Sequence, residues 1–146
     1  MIYRESDLFK CHQLAQRGFN FNECLDMIRI DKIGTTDTDR LDVLFNVVSE
    51  HYEITREQLA GSTRKGHVVE GRRMFLYLAR ILTNKSLSVI GARVNKDHAT
   101  VLHQFRKGAA YFEIKDEQFL SDYDTVTKEY HKRLKLVKKQ KLECIV

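Results

Sequence analysis

Not one of the 146 residues is proline. Proline removes a backbone donor and clashes with the preceding turn, so its absence leaves helices free to run uninterrupted. Apolar residues recur along the chain at i, i+3, i+4 and i+7, and alternating Val-Thr-Ile runs are scarce, so the expected fold class is all-α. With 42% hydrophobic residues the chain suits one helical domain plus an extra segment and excludes an enzyme built of two large domains. No stretch of about 18 apolar residues occurs. The opening MIYRESDLFKC is charged where a signal peptide needs its apolar core, so a cytoplasmic protein without membrane contact is expected. Cys11, Cys24 and Cys144 are far apart and lack CxxC spacing, which supports neither a disulfide framework nor a zinc site and leaves reduced, mostly buried thiols.

An N-terminal helix pair is expected, with Leu8, Phe9, His12 and Leu14 before a turn at Gly18, then Phe21, Leu25 and Ile28 after Asn20 or Asn22 as caps. The short polar run 34–39 reads as a linker, which sets an N-terminal helical appendage at 1–38 against a main domain at 39–135. From Asp39 a helix carries Leu41, Leu44, Phe45, Val48 and Tyr52 inward. Thr55 and Gln58 have capping-box spacing for a short helix ending at Gly61. A basic loop, 62–66, precedes a longer helix from Val68 to Leu82 with Val68, Met74 or Phe75, Leu78 and Ile81 as its inner stripe and Arg72, Arg73 and Arg80 on another face. The last helix starts at Asp116 with Phe119, Tyr123, Val126, Tyr130 and Leu134 inside, and a Lys-rich tail, 136–146, is expected to fray.

Charge is uneven along this plan. Residues 1–55 hold six basic and ten acidic side chains, residues 56–107 eleven and three, 108–127 one and five, and 128–146 seven and two. The centre, net +8, is either a surface for phosphates or a solvated arginine-rich face. Within it lie two short helical segments, Ser86 to Arg93 and one beginning near Asp97, separated only by Val94, Asn95 and Lys96. That is the outline of a helix-turn-helix, whose second helix presents its first residues to the major groove. Leu87, Val89 or Ile90, Val94, Val101 and Leu102 would pack the two helices, Gly91 permits close approach, and Asn95 tolerates a left-handed turn.

The stretch LTNKSLSVIG at 82–91, followed by KDHATVLH at 96–103, resembles the C-terminal DNA-binding domain of the bacterial replication initiator family DnaA. The similarity reaches upstream through LAGSTR at 59–64 and RRMFLYL at 72–78, and downstream to Arg106 and Lys107, covering roughly residues 40–135. The resemblance implies a helical bundle related to the Trp repressor with an internal helix-turn-helix, and double-stranded DNA as partner. By the same resemblance Asp97, His98, Ala99 and Thr100 fall where the family meets base edges in the major groove, and Arg64 where it enters the minor groove. Arg72, Arg73, Arg80, Lys85, Lys96 and Lys107 correspond to or neighbour positions that hold the DNA backbone, and Leu87 and Ser88 lie against it. The side-chain chemistry agrees, since a carboxylate accepts from cytosine, histidine bonds base edges, and a methyl meets thymine. Asp97 has an equally good role as the N-cap of its helix.

The chain departs from the family pattern at four points. Ala99 stands in place of a threonine or serine, Ser88 and Gly71 in place of prolines, and the turn at 94–96 is a residue shorter, which puts the exact target box in doubt. The initiators carry an ATPase domain ahead of this module, whereas no GxxxxGK[ST] motif occurs here. The expectation is therefore a stand-alone DNA-binding module, of the kind a phage or other mobile element would use in replication initiation or transcription regulation. It needs no cofactor, metal or nucleotide, and residues 1–38 would serve a homodimer or a protein partner. A protein-interaction module on the same scaffold is the alternative. No catalytic constellation is present: His12 beside Cys11, or His98 with His103, forms no nucleophile-base or HExxH arrangement.

Overall fold

The computed structural model describes residues 5–20, 22–24 and 36–145. Seven helices follow in order among them: α1 (Glu5–Gln16), α2 (Asp37–His51), α3 (Arg56–Ala60), α4 (Gly66–Leu82), α5 (Leu87–Ala92), α6 (His98–Glu113) and α7 (Glu117–Ile145). A further helical turn occupies 22–24, and no strand occurs among the described residues.

The core is organised around α4, which buries far more than the expected stripe. Leu76, Tyr77 and Ala79 are sealed together with Val68, Met74, Phe75 and Leu78. Such all-round burial marks a central helix. Phe45 of α2 meets Phe75 edge to face at 5.4 Å between ring centres, and Phe105 of α6 stacks on Tyr77 at 5.5 Å. Gly108 lets α6 come this close, because a Cβ there would stand 2.8 Å from the Tyr77 ring. Gly71 lies in the second turn of α4, and its missing side chain makes room for Ile54 and Tyr52 at the corner between α2 and α3.

The polar run expected to be a linker is partly a helix cap. The Thr36 hydroxyl accepts from the Asp39 N–H at 3.1 Å and the Asp39 carboxylate accepts from the Thr36 N–H at 3.0 Å, so α2 starts at Asp37. This reciprocal pairing satisfies two otherwise orphaned donors. Gly34 and Thr35 lie outside the described residues. The 38/39 boundary thus falls inside α2, and the 135/136 boundary inside α7, whose helix continues through the stretch expected to fray.

The turn at Gly18 has φ of +92°, which its lack of a side chain allows. Asn20, not Asn22, is the cap after it, accepting from the Glu23 N–H at 2.8 Å. Phe21, Leu25 and Ile28 lie outside the described residues. On α1 the inward residues are Gln13 and Leu14, while Phe9 and His12 face out. The helix is fastened to the main body by a Gln13–Tyr77 hydrogen bond and by Arg17 paired with Asp124, whose carboxylate also raises the guanidinium's affinity for its proton. Cys24 is buried and Cys11 half-buried, both unoxidised, and burial pushes the Cys24 thiol up to about 11. No helix among the described residues is long and apolar enough to cross a membrane.

Candidate nucleic-acid interface

Ser86 caps α5 by accepting from the Val89 N–H at 3.2 Å. At the other end of α5 the chain turns within three residues. The Gly91 carbonyl accepts from the Val94 N–H at 3.0 Å and the Lys96 N–H at 2.9 Å, and Asn95 supplies the left-handed step at φ +55°. Gly91 is indispensable to this turn: a Cβ there would stand 2.3 Å from the Lys96 carbonyl oxygen and 2.9 Å from Val101 Cγ2. Ile90, Val94 and Val101 are sealed beneath the turn, Leu87 and Leu102 are half-buried, and Val89 points to solvent. Thus Ile90, of the two candidates, packs the hairpin.

The turn delivers α6 with its first residues uncovered. Asp97 is the N-cap, accepting from the Thr100 N–H at 2.8 Å, and that bond, helped by the Thr100 hydroxyl, holds its carboxyl below the usual range. Asp97, His98 and Ala99 are exposed and Thr100 is half-buried. Four residues on from Ala99 is His103, and four further is Lys107, both exposed; Arg106, eight residues on from His98, is exposed as well. Residues spaced by four share a helix face. His103 and Arg106 therefore join the strip that begins with the predicted base readers, although the sequence analysis assigned neither to the interface. Their i+4 spacing was the available signal.

The predicted cations are not placed alike. Arg64, in the loop between α3 and α4, and Arg80, in the last turn of α4, are exposed like Lys107, while Lys85 is half-buried and Ser88 exposed on either side of the α5 start. Arg72 faces the other way, as a correction to its expected place on the DNA backbone. It is 8% exposed, and its guanidinium donates to the carbonyls of Leu59 at 2.9 Å, Gln58 at 2.9 Å, Gly61 at 3.0 Å and Thr63 at 3.4 Å. Those carbonyls belong to the end of α3 and the loop beyond it, where no next turn exists to accept from. Arg73 is held away from the tip of α6: its Nε donates to Gln104 at 3.2 Å and its guanidinium lies 5.0 Å from the Tyr111 ring centre. Tyr111 stands about 20 Å along the helix from His98, at 1.5 Å per residue. Lys96, between these extremes, is half-buried and donates to the Gly61 carbonyl at 3.2 Å.

The bacterial dnaA protein helix-turn-helix family matches residues 41–107, from the second turn of α2 into α6. The chain is similar to the chromosomal replication initiator protein DnaA of Bartonella quintana, with 31% identity over 83% of this chain and 24% of that protein. The DnaA of Xanthobacter autotrophicus is 42% identical over 53% of the chain and 16% of its own length, and that of Bacteroides fragilis 37% identical over 59% and 18%. The chain thus spans a quarter or less of these relatives' length. The tight, glycine-dependent turn between two short helices and the exposed tip of α6 both lie inside the matched stretch, so residues 41–107 carry the sequence pattern of the bacterial dnaA protein helix-turn-helix family.

Proposed function

We propose that the chain binds double-stranded DNA at specific sequences and acts in replication initiation or its regulation, without catalysis of its own. The observation that carries this reading is the uncovered first turn of α6, where His98 and Ala99 are exposed just beyond a hydrogen-bonded turn. In the proposed complex α6 enters the major groove, with Asp97, His98, Ala99 and Thr100 toward base edges and Arg64 toward the adjacent minor groove. Arg80, Lys85, Lys107 and the start of α5 at Leu87 and Ser88 lie along the backbone and fix register. Burial removes Arg72 from this group, and Arg73 stands at its margin. The 1–38 segment remains the proposed contact for a second copy or a protein partner.

Selection of bound duplexes from a random library at physiological salt tests the reading, because competition measures specificity and not affinity alone. A recovered motif, with binding that weakens steeply as salt rises, is the expected result. A motif related to the initiators' box would place the chain at origins, and an unrelated one would make it a regulator of its own site. No enrichment and no salt-dependent binding would refute DNA recognition and leave the helical scaffold as a protein-interaction module.

A further inference from the structure

We propose that Lys96 is a positioning residue, which sets the distance between two DNA-reading elements: the loop that carries Arg64 and the first turn of α6. The inference rests on the DNA-binding reading above.

The Gly61 carbonyl oxygen accepts from two cations that start on different elements, Arg72 Nη2 of α4 at 3.0 Å and Lys96 Nζ of the α5–α6 turn at 3.2 Å. Arg72 grips the loop from inside through the carbonyls on both sides of Gly61, and burial lowers its affinity for the proton. Lys96 grips the same carbonyl from the recognition side. Its own backbone is fixed, since its N–H bonds Gly91 and its carbonyl fills the space that a Gly91 side chain would need. The next residue, Asp97, caps α6. Three residues beyond Gly61 stands Arg64. One short path therefore runs from the minor-groove arginine, through a doubly held carbonyl, to the N-cap of the recognition helix. Hydrogen bonds with an ionised donor are the stronger kind, which suits them to such a tether.

A lysine has three donors, so the bond to Gly61 leaves others for a phosphate. The two roles make different predictions. A phosphate contact strengthens binding to every duplex alike, whereas a tether matters where both grooves are read together. Lys96→Met keeps the alkyl chain and removes the donor. In the full chain without DNA, amide exchange at residues 62–65 should rise severalfold in this variant. On a selected site, wild type should prefer the original A·T-rich flank over a G·C-replaced one by about tenfold, a typical mismatch penalty. Lys96→Met should lose that preference as Arg64→Ala does, and the double variant should lose no more than either single one. Preferences that depend on His98 should persist, and Lys96→Arg should restore the flank preference.

Unchanged loop exchange, together with additive losses that are equal on all duplexes and a salt slope reduced by about one, would overturn the proposal and make Lys96 a phosphate contact. Failure of the underlying reading looks different: the wild type itself then shows no preference among duplexes, and the proposed role falls with it.

Discussion

The base of the α5–α6 hairpin and its tip obey opposite rules. At the base, Ile90, Gly91, Val94 and Val101 are buried so tightly that one added methyl would strike a carbonyl. At the tip, three residues later, Asp97, His98 and Ala99 stand in solvent. Close packing makes the base intolerant of changed volume, and a surface position away from caps and cores is nearly neutral to substitution. Apart from Asp97, which also caps α6, the chain thus separates the residues that hold the tip from those proposed to read DNA.

The sharpest way to break this division is Gly91→Ala. With a Cβ forced to 2.3 Å from the Lys96 oxygen, the turn must open, at a cost of about 3 kcal/mol by the scale of overpacked cores. Urea denaturation should register that loss, and duplex binding should fall with it. Full stability in the variant would mean that the turn relaxes and that the base is not rigid. Next in size comes Arg72→Met, which removes the guanidinium donor from the Leu59 and Thr63 carbonyls and one of two donors from the Gln58 and Gly61 carbonyls. About 2–3 kcal/mol of stability should be lost, as for a buried charged hydrogen-bonding group. If Arg72 instead held DNA from outside, stability would stay and all duplexes would weaken together.

His98→Ala should do the reverse, leaving denaturation within about 0.5 kcal/mol of wild type. Its effect should appear as an about tenfold loss of preference for the cognate site over single-base variants. Equal loss on cognate and random duplexes would remove His98 from base reading. The smallest effect concerns Asp97. Its carboxyl is held below the usual range by the Thr100 N–H, so the folded state binds this proton less readily than the unfolded chain. The stabilisation is present in full above the ordinary carboxylate pKa and disappears as pH falls through the lowered value. Wild type and Asp97→Ala should therefore differ in melting temperature at neutral pH and converge in acid. A constant difference down through that range would show that the cap does not depend on ionisation.

Periodicity made the longer helices legible as apolar residues at helical spacing, and capping residues marked others, as at Thr55 and Gln58, whereas α4 starts after Lys65 with no side-chain cap. It also made the hairpin legible, down to Gly91 and Asn95. The site was readable where exposure is set by local position, as at the N-terminus of α6. It was not readable where a side chain's partner is distant in the fold. Nothing near Arg72 in sequence says that its guanidinium turns toward carbonyls as many as 14 residues earlier. Likewise, no spacing rule places Arg73 over Tyr111 or Lys96 on Gly61. The run at 34–39 misled for another reason: residues that suit linkers also suit caps, and Thr36 with Asp39 shows the second use.

The openness of the α6 tip has a consequence for how such a protein changes. Because His98, Ala99 and His103 project from a frame that other residues keep in place, new side chains at these positions can be exchanged as a cassette, with the scaffold unaltered. Ala99 is the smallest member of that cassette. Under the proposed DNA-binding function, a lineage, or a designer, could retarget the head there by ordinary substitutions without first acquiring compensating changes in the core.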